Sequence, residues 1–104
     1  MELGITTEPS PECYIIRVAG EVDISCADKL RDAIDLALEQ PTPAVQLDFA
    51  QVSYIDSTGI GVLVGAAHHA AERERALSVV NAQPGVMRVA TLLGVDKEIG
   101  MSAA

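Results

Sequence analysis

Cationic and aromatic residues are scarce in this sequence, and both shortages restrict what the protein can do. Lys and Arg number 7 against 15 Asp and Glu, a formal net charge of −8, and aromatic residues make up 3% of the 104 residues. Nucleic acids and anionic membranes are bound through dense cationic patches, so we expect neither as a partner. With so few aromatic side chains, the core must consist of valine, isoleucine, leucine and alanine.

Cysteines and long apolar segments are scarce as well. Cys13 and Cys26 are the two cysteines of the sequence, too few for the several disulfide bonds that stabilise small secreted domains. No apolar run approaches the ~20 residues that span a bilayer. The first residues lack the cationic start and the apolar stretch of a signal peptide. We therefore expect one domain over residues 1–104, located in the cytoplasm.

The hydrophobic pattern alternates between strand-like and helix-like segments. Helices between successive strands imply right-handed crossovers and a parallel centre, with the first two strands pairing as an antiparallel edge hairpin. The prediction is an α/β fold in which three to four helices cover a mixed sheet of four to five strands. The predicted strands are residues 3–7, 13–18, 44–49 and 76–80. Residues 52–55 are expected to extend the third strand, and a last extended piece is expected near 97–99. The predicted helices are one that follows Ser25 and two that cover 60–73 and 84–93.

Two helix starts carry capping residues. Ser25 is a suitable N-cap for the first helix, with Asp28 three positions later as in a capping box. At the second helix, Asp56, Ser57 and Thr58 can each accept a hydrogen bond from backbone N–H groups that lack a partner within the helix. The loop they form joins an extended segment to a helix, which is where α/β sheets carry their sites. Taken by itself, this loop also fits a well-capped helix without a function.

Four motifs are distinctive in sequence and spacing. They are Leu-Gly-Ile at 3–5, Gly-Glu-Val-Asp at 20–23, Val-Gln-Leu-Asp-Phe at 45–49 and Ile-Asp-Ser-Thr-Gly-Ile-Gly-Val-Leu at 55–63. Together they resemble the anti-sigma factor antagonists of the STAS domain family (sulfate transporter and anti-sigma factor antagonist). Leu-Leu-Gly-Val at 92–95 resembles the family's pattern after the third helix, so the resemblance covers about residues 1–100.

In proteins of this kind, a partner that is both anti-sigma factor and kinase phosphorylates the serine after the aspartate. The resemblance implies that Ser57 is the phosphorylation site and that Asp23, Asp56, Thr58 and Gly59 join Ser57 in binding this partner. The unphosphorylated form is expected to bind the anti-sigma factor and free the sigma factor. Phosphorylation is expected to switch binding off, and a metal-dependent serine/threonine phosphatase to restore it. The chain is then a regulator of transcription and not an enzyme, with no cofactor and no bound metal.

Two places depart from the family pattern. The family usually has glycine in the turn after the second helix, where this chain has Ala-Glu-Arg-Glu-Arg at 71–75. A longer or differently capped turn is therefore expected. Relatives generally continue into a last strand and helix, and we expect that final helix to be short or absent in this chain.

Other functions remain open on the sequence. An accessory STAS subunit of a transport or lipid-trafficking complex scaffolds an ATPase without being phosphorylated, and some STAS relatives bind nucleotides. Gly59, Gly61 and Gly65 match a dinucleotide fingerprint poorly, because about ten residues separate the preceding strand from the first glycine. Close packing of the helix on the sheet is the preferred explanation for these glycines. His68 and His69 are adjacent and point about 100° apart on a helix, so they cannot chelate a metal together.

Overall fold

The structure is a computed structural model that describes residues 3–104. Within this range a five-stranded sheet, with the strands in sequence order, packs with four helices. The strands are β1 (Gly4–Pro9), β2 (Cys13–Val22), β3 (Ala44–Ile55), β4 (Ala76–Ala82) and β5 (Met101–Ala103); the helices are α1 (Ala27–Leu38), α2 (Ser57–Glu72), α3 (Pro84–Leu92) and α4 (Asp96–Ile99).

The sheet topology determines where the loops meet. Strands β1 and β2 form an antiparallel hairpin at one edge, and β2 through β5 run parallel. This confirms the predicted mixed sheet. Val22 at the end of β2 pairs with Ile55 at the end of β3. Because these strands are parallel neighbours, the loops that follow them lie side by side at the carboxyl edge of the sheet.

The core lies between one face of the sheet and the helices. Alternate residues of the central strands point into it, so that Ile16, Leu47, Phe49 and Val79 are fully buried. Burying one such side chain contributes about 1.5–3 kcal/mol. The helices add apolar stripes that include Leu30, Ile34 and Leu38 of α1, Ile60 and Leu63 of α2, and Val86 and Ala90 of α3.

Helix α1 starts differently from the prediction, because Ser25 does not cap it. The helix begins at Ala27, and Cys26 in the N-cap position makes no side-chain capping bond. The backbone N–H of Ser25 donates to Asp23 Oδ1 at 2.9 Å, and the Ser25 hydroxyl donates to the same oxygen. Both donors of Ser25, its backbone N–H and its hydroxyl, are directed to Asp23, and Cys26 occupies the N-cap position, so Ser25 is held by Asp23 and not by the helix. The predicted capping box is also wrong, since Asp28 pairs with an arginine one turn further along α1.

The C-terminal segment also differs from the prediction. Residues 97–99 belong to the one-turn helix α4 and are not extended. The helical turn brings Ile99 into the core, where it is fully buried. Gly100 then takes a left-handed conformation, with φ of 71°, and redirects the chain into β5.

The turn after α2 is capped without glycine, as the sequence led us to expect. Glu74 takes the left-handed conformation, with φ of 56°. Its N–H donates to the carbonyl of Ala71 at 3.1 Å, and the N–H of Arg75 donates to the carbonyl of Ala70 at 2.8 Å. This is the Schellman arrangement that a glycine normally allows. The Arg75 side chain donates to the carbonyl of Thr42 and so ties the turn to the segment after α1.

Candidate functional site

Asp56 connects the two loops at the carboxyl edge of the sheet. It is the N-cap of α2, and its Oδ1 accepts a hydrogen bond from the N–H of Gly59 at 2.9 Å. Its Oδ2 accepts from the N–H of Ile24, in the loop after β2, at 3.2 Å. Of the three residues that the sequence offered as caps, Asp56 therefore takes this role. Its two oxygens also fix the position of one loop against the other.

Ser57 is the first residue of α2 and is exposed. The side-chain hydrogen bonds that hold the loop come from Asp56 and Asp23, so the Ser57 hydroxyl is left facing solvent. Thr58 follows it and is also exposed. The helix begins three residues before the predicted start at Ile60, because Asp56 caps it there.

Gly59 holds the start of α2 against the sheet. It is buried, and a Cβ at this position would lie 2.7 Å from Ile55 Cγ1 and 2.7 Å from Val22 Cγ1. Real Cβ contacts are not that short, so only glycine fits without a shift of the core. Gly59 is therefore covered by the core and fixes where the first turn of α2, which carries Ser57, lies against the sheet.

Asp23 shapes the neighbouring loop. The hydrogen bonds from the hydroxyl and the backbone N–H of Ser25 stabilise its ionised form and lower the pKa of the Asp23 carboxyl below its ordinary value. The site therefore presents carboxylates on both loops, at Asp23 and Asp56, around the exposed Ser57. Asp23 and Asp56 are each half-buried.

Ile24 is an exposed apolar residue beside the candidate site that the sequence reasoning did not single out. It lies between Asp23 and Ser25, and 78% of its surface is exposed. Tyr54, two residues before Asp56, is 50% exposed at the same edge of the sheet. A large apolar residue next to an aspartate in a turn-like segment was the available signal, but the sequence does not show that its backbone bonds to Asp56 in the other loop.

A groove of about 490 Å³ runs between α1 and α2. It begins beside Ser57, at Thr58, and continues along Gly61 and Gly65 toward His69. A Cβ at Gly61 or Gly65 would meet nothing within 4 Å. The packing explanation is therefore correct for Gly59 and wrong for Gly61 and Gly65, whose faces are open to the groove.

The adjacent histidines point toward different helices. His68 Nε2 pairs with a carboxylate oxygen of Glu98 in α4, and His69 Nδ1 lies 3.6 Å from Asp35 Oδ1 in α1. Across residues 3–104, no group of His, Cys, Asp and Glu is arranged to hold a metal ion. In the same part of the chain, no helix is long and apolar enough to cross a bilayer.

The chain matches a known protein family over most of its length. The family model described as "Mlab, STAS domain" matches residues 5–101. The chain belongs to the STAS domain family.

Among its relatives are anti-sigma factor antagonists. An anti-sigma-B factor antagonist of Listeria monocytogenes is 32% identical over 81 residues, which cover 78% of this chain and 71% of the relative. One of Staphylococcus epidermidis is 27% identical over 95 residues, which cover 91% and 88%. The solved structure of the anti-sigma factor antagonist SpoIIAA in its unphosphorylated form is 25% identical, with a TM-score of 0.79 over 97% of this chain and 88% of that one. Anti-sigma factor antagonism is the function that these relatives support.

Proposed function

We propose that this protein is an anti-sigma factor antagonist switched by phosphorylation of Ser57. In its unphosphorylated form it binds an anti-sigma factor with serine kinase activity and thereby frees a sigma factor. The observation that carries the proposal is the exposed Ser57 hydroxyl at the start of α2, outside the bonds that fold the loop. The similar anti-sigma-B factor antagonists support the antagonist function, and the similar SpoIIAA structure, which is that of an unphosphorylated form, supports a switch by phosphorylation.

The fold is suited to accept a phosphate at this position. Phosphorylation adds a charge of about −1.5 to −2 and three acceptor oxygens. At the first position of α2 the new charge faces the positive end of the helix dipole, which favours it by about 0.3–1 kcal/mol. The hydrogen bonds that Asp56 accepts from Ile24 and Gly59 do not involve the Ser57 hydroxyl, so the conformation of the loop does not depend on that hydroxyl. We therefore expect the phosphorylated protein to remain folded.

The same charge opposes a docked partner. A protein surface over Ser57 would cover a phosphate beside the carboxylates of Asp56 and Asp23, and burying that charge without counter-charges is costly. Each ~1.4 kcal/mol of penalty weakens binding tenfold, so a few kcal/mol separate the complex. The predicted result of phosphorylation is loss of binding without unfolding.

The predicted partner-binding residues divide into two groups. Ser57 and Thr58 are exposed, and Asp23 adjoins the exposed Ile24 on the neighbouring loop, so we assign them direct contacts. Asp56 and Gly59 contribute by fixing the loop, through the capping bond and the close approach to the core. A metal-dependent serine/threonine phosphatase would reset the switch. The chain itself is the substrate of both enzymes in the cytoplasm and supplies no catalytic group.

A phosphorylation assay tests this proposal. The protein is incubated with ATP and a candidate anti-sigma factor kinase from the same organism, and the modified residue is mapped by mass spectrometry. We expect the phosphate on Ser57 and none on a Ser57→Ala variant. Ser25 is the matched internal control, because its hydroxyl is engaged by Asp23 on the adjacent loop. Phosphate on Ser53 or Ser78 with Ser57 unmodified would contradict the assignment, and a protein that no such kinase modifies would favour the accessory-subunit function.

A further inference from the structure

We propose that Ile24 is an apolar anchor for the anti-sigma partner and that Asp56 is the positioning residue that holds it in place. The inference rests on the proposed function and names a contact of that same site. Ile24 is a large apolar side chain with 78% of its surface exposed, on the loop that adjoins Ser57.

The loop that carries Ile24 is fixed from both sides. The N–H of Ile24 donates to Asp56 Oδ2 at 3.2 Å, and the next residue, Ser25, is held by Asp23 Oδ1. The isoleucine side chain is β-branched and has few rotamers. An exposed side chain on a fixed backbone loses little conformational freedom when a partner covers it, so its apolar area is converted efficiently into affinity.

Other exposed apolar side chains lack this connection. Leu92 is 79% exposed near the end of α3, and Leu36 is 56% exposed on α1. Single exposed apolar residues are ordinary on protein surfaces and need no partner. Ile24 differs because its backbone is bonded to the residue that immediately precedes Ser57. Leu92 thus provides a matched control with almost the same exposure.

The position of Ile24 indicates what covers it. A kinase must bring its active site to the Ser57 hydroxyl, and a surface laid over Ser57 also reaches the adjoining loop. Asp23 and Asp56 flank Ile24 with carboxylates, and the whole chain has a net charge of −8. The complementary surface on the anti-sigma factor is therefore an apolar pocket bordered by neutral N–H or O–H donors, which can bond the carboxylates without supplying a counter-charge for a phosphate.

Isothermal titration calorimetry with the anti-sigma factor that phosphorylates Ser57 tests the anchor. Ile24→Ala should weaken binding about tenfold or more, as expected for an anchor residue. Leu92→Ala should leave the dissociation constant within about twofold of wild type, as expected outside an interface. Both variants should unfold at the wild-type temperature, since both side chains are exposed. An unchanged dissociation constant for Ile24→Ala would overturn the proposal.

Asp56→Asn tests the positioning role. Asparagine is a good N-cap, but its amide nitrogen cannot accept the hydrogen bond from the Ile24 N–H. The variant should therefore keep α2 capped while the Ile24 loop loses its support. We expect weaker binding in the wild-type background and a smaller effect in the Ile24→Ala background, because the residue being positioned is then absent. Equal effects in the two backgrounds would refute the positioning role.

The outcomes separate this inference from the proposed function. If wild type binds the anti-sigma factor, Ser57→Asp does not, and Ile24→Ala binds as wild type does, only the anchor fails. If wild type binds no anti-sigma factor kinase of its own organism, both fail. The anchor role and the proposed function are both supported if Ile24→Ala binds the anti-sigma factor weakly but is phosphorylated normally on Ser57 at a saturating concentration of the kinase.

Discussion

Replacing Gly59 with alanine tests how the core positions the phosphorylation loop. The new methyl group would lie 2.7 Å from Val22 Cγ1 and 2.7 Å from Ile55 Cγ1. Val22 and Ile55 are buried at the ends of β2 and β3, so neither can move into solvent. Helix α2 must therefore shift outward at its first turn, which carries Ser57.

The change in the free energy of unfolding expected for Gly59→Ala is the balance of two opposing effects. Overpacking a core typically costs about 1–3 kcal/mol. Alanine in place of glycine within a helix contributes up to about 1 kcal/mol in the other direction. The tightness of two simultaneous contacts makes the first effect larger, and we expect Gly59→Ala to lower the free energy of unfolding by about 1–2 kcal/mol.

Gly61→Ala is the matched control in the same helix. Its methyl group would meet nothing within 4 Å, so only the helix preference acts and the variant should be more stable by about 0.5–1 kcal/mol. Urea unfolding followed by circular dichroism measures both variants. Stabilisation by Gly59→Ala, or equal destabilisation by the two variants, would refute the close-approach explanation.

Three further predictions concern backbone conformation and ionisation. Glu74→Gly should stabilise the protein by about 0.5–1 kcal/mol in urea unfolding, because Glu74 is left-handed with φ of 56°. Gly100→Ala should destabilise it by about 1–3 kcal/mol in the same assay, because φ is 71° and the new Cβ would lie 2.9 Å from the Leu77 carbonyl oxygen. The lowered pKa of Asp23 makes a stabilising contribution that is present above its unfolded pKa and is lost as pH falls through its folded pKa. The thermal unfolding temperature of Asp23→Asn should therefore fall less between neutral and acid pH than that of wild type.

For each of these three variants, a specific outcome would contradict the prediction. A less stable Glu74→Gly variant would mean that the glutamate side chain makes a stabilising contact that outweighs its backbone cost. A neutral Gly100→Ala variant would mean that the turn before β5 relaxes freely. An Asp23→Asn variant whose stability declines toward acid as steeply as wild type would show that Asp23 is not a source of the pH dependence.

Much of the architecture was predictable from local pattern. The parallel centre follows from strands alternating with helices, and the site follows from the loop after β3. The start of α1 was not predictable. Ser25 has a good capping side chain, and only the folded loop shows that its hydroxyl donates a hydrogen bond to Asp23 instead. The helical turn at 96–99 was missed because a four-residue segment carries too little periodicity to distinguish helix from strand.

Within the site, the residues were predictable and their division of labour was not. Asp56, Ser57 and Thr58 are equivalent caps on paper, and three-dimensional packing assigns the cap to Asp56 and leaves Ser57 exposed. The bond from Asp56 to Ile24 joins loops far apart in sequence. Sequence pattern carries no information on such a contact until the strand order is known.

A phosphate on Ser57 is expected to weaken binding strongly while the fold persists. The direct measurement compares the affinity of phosphorylated and unphosphorylated protein for the anti-sigma factor, together with the thermal unfolding of each form. We predict an affinity loss on the order of 100-fold, or ~2.7 kcal/mol, with nearly unchanged unfolding temperatures. Equal affinities for the two forms, or an affinity loss that accompanies unfolding, would contradict the account.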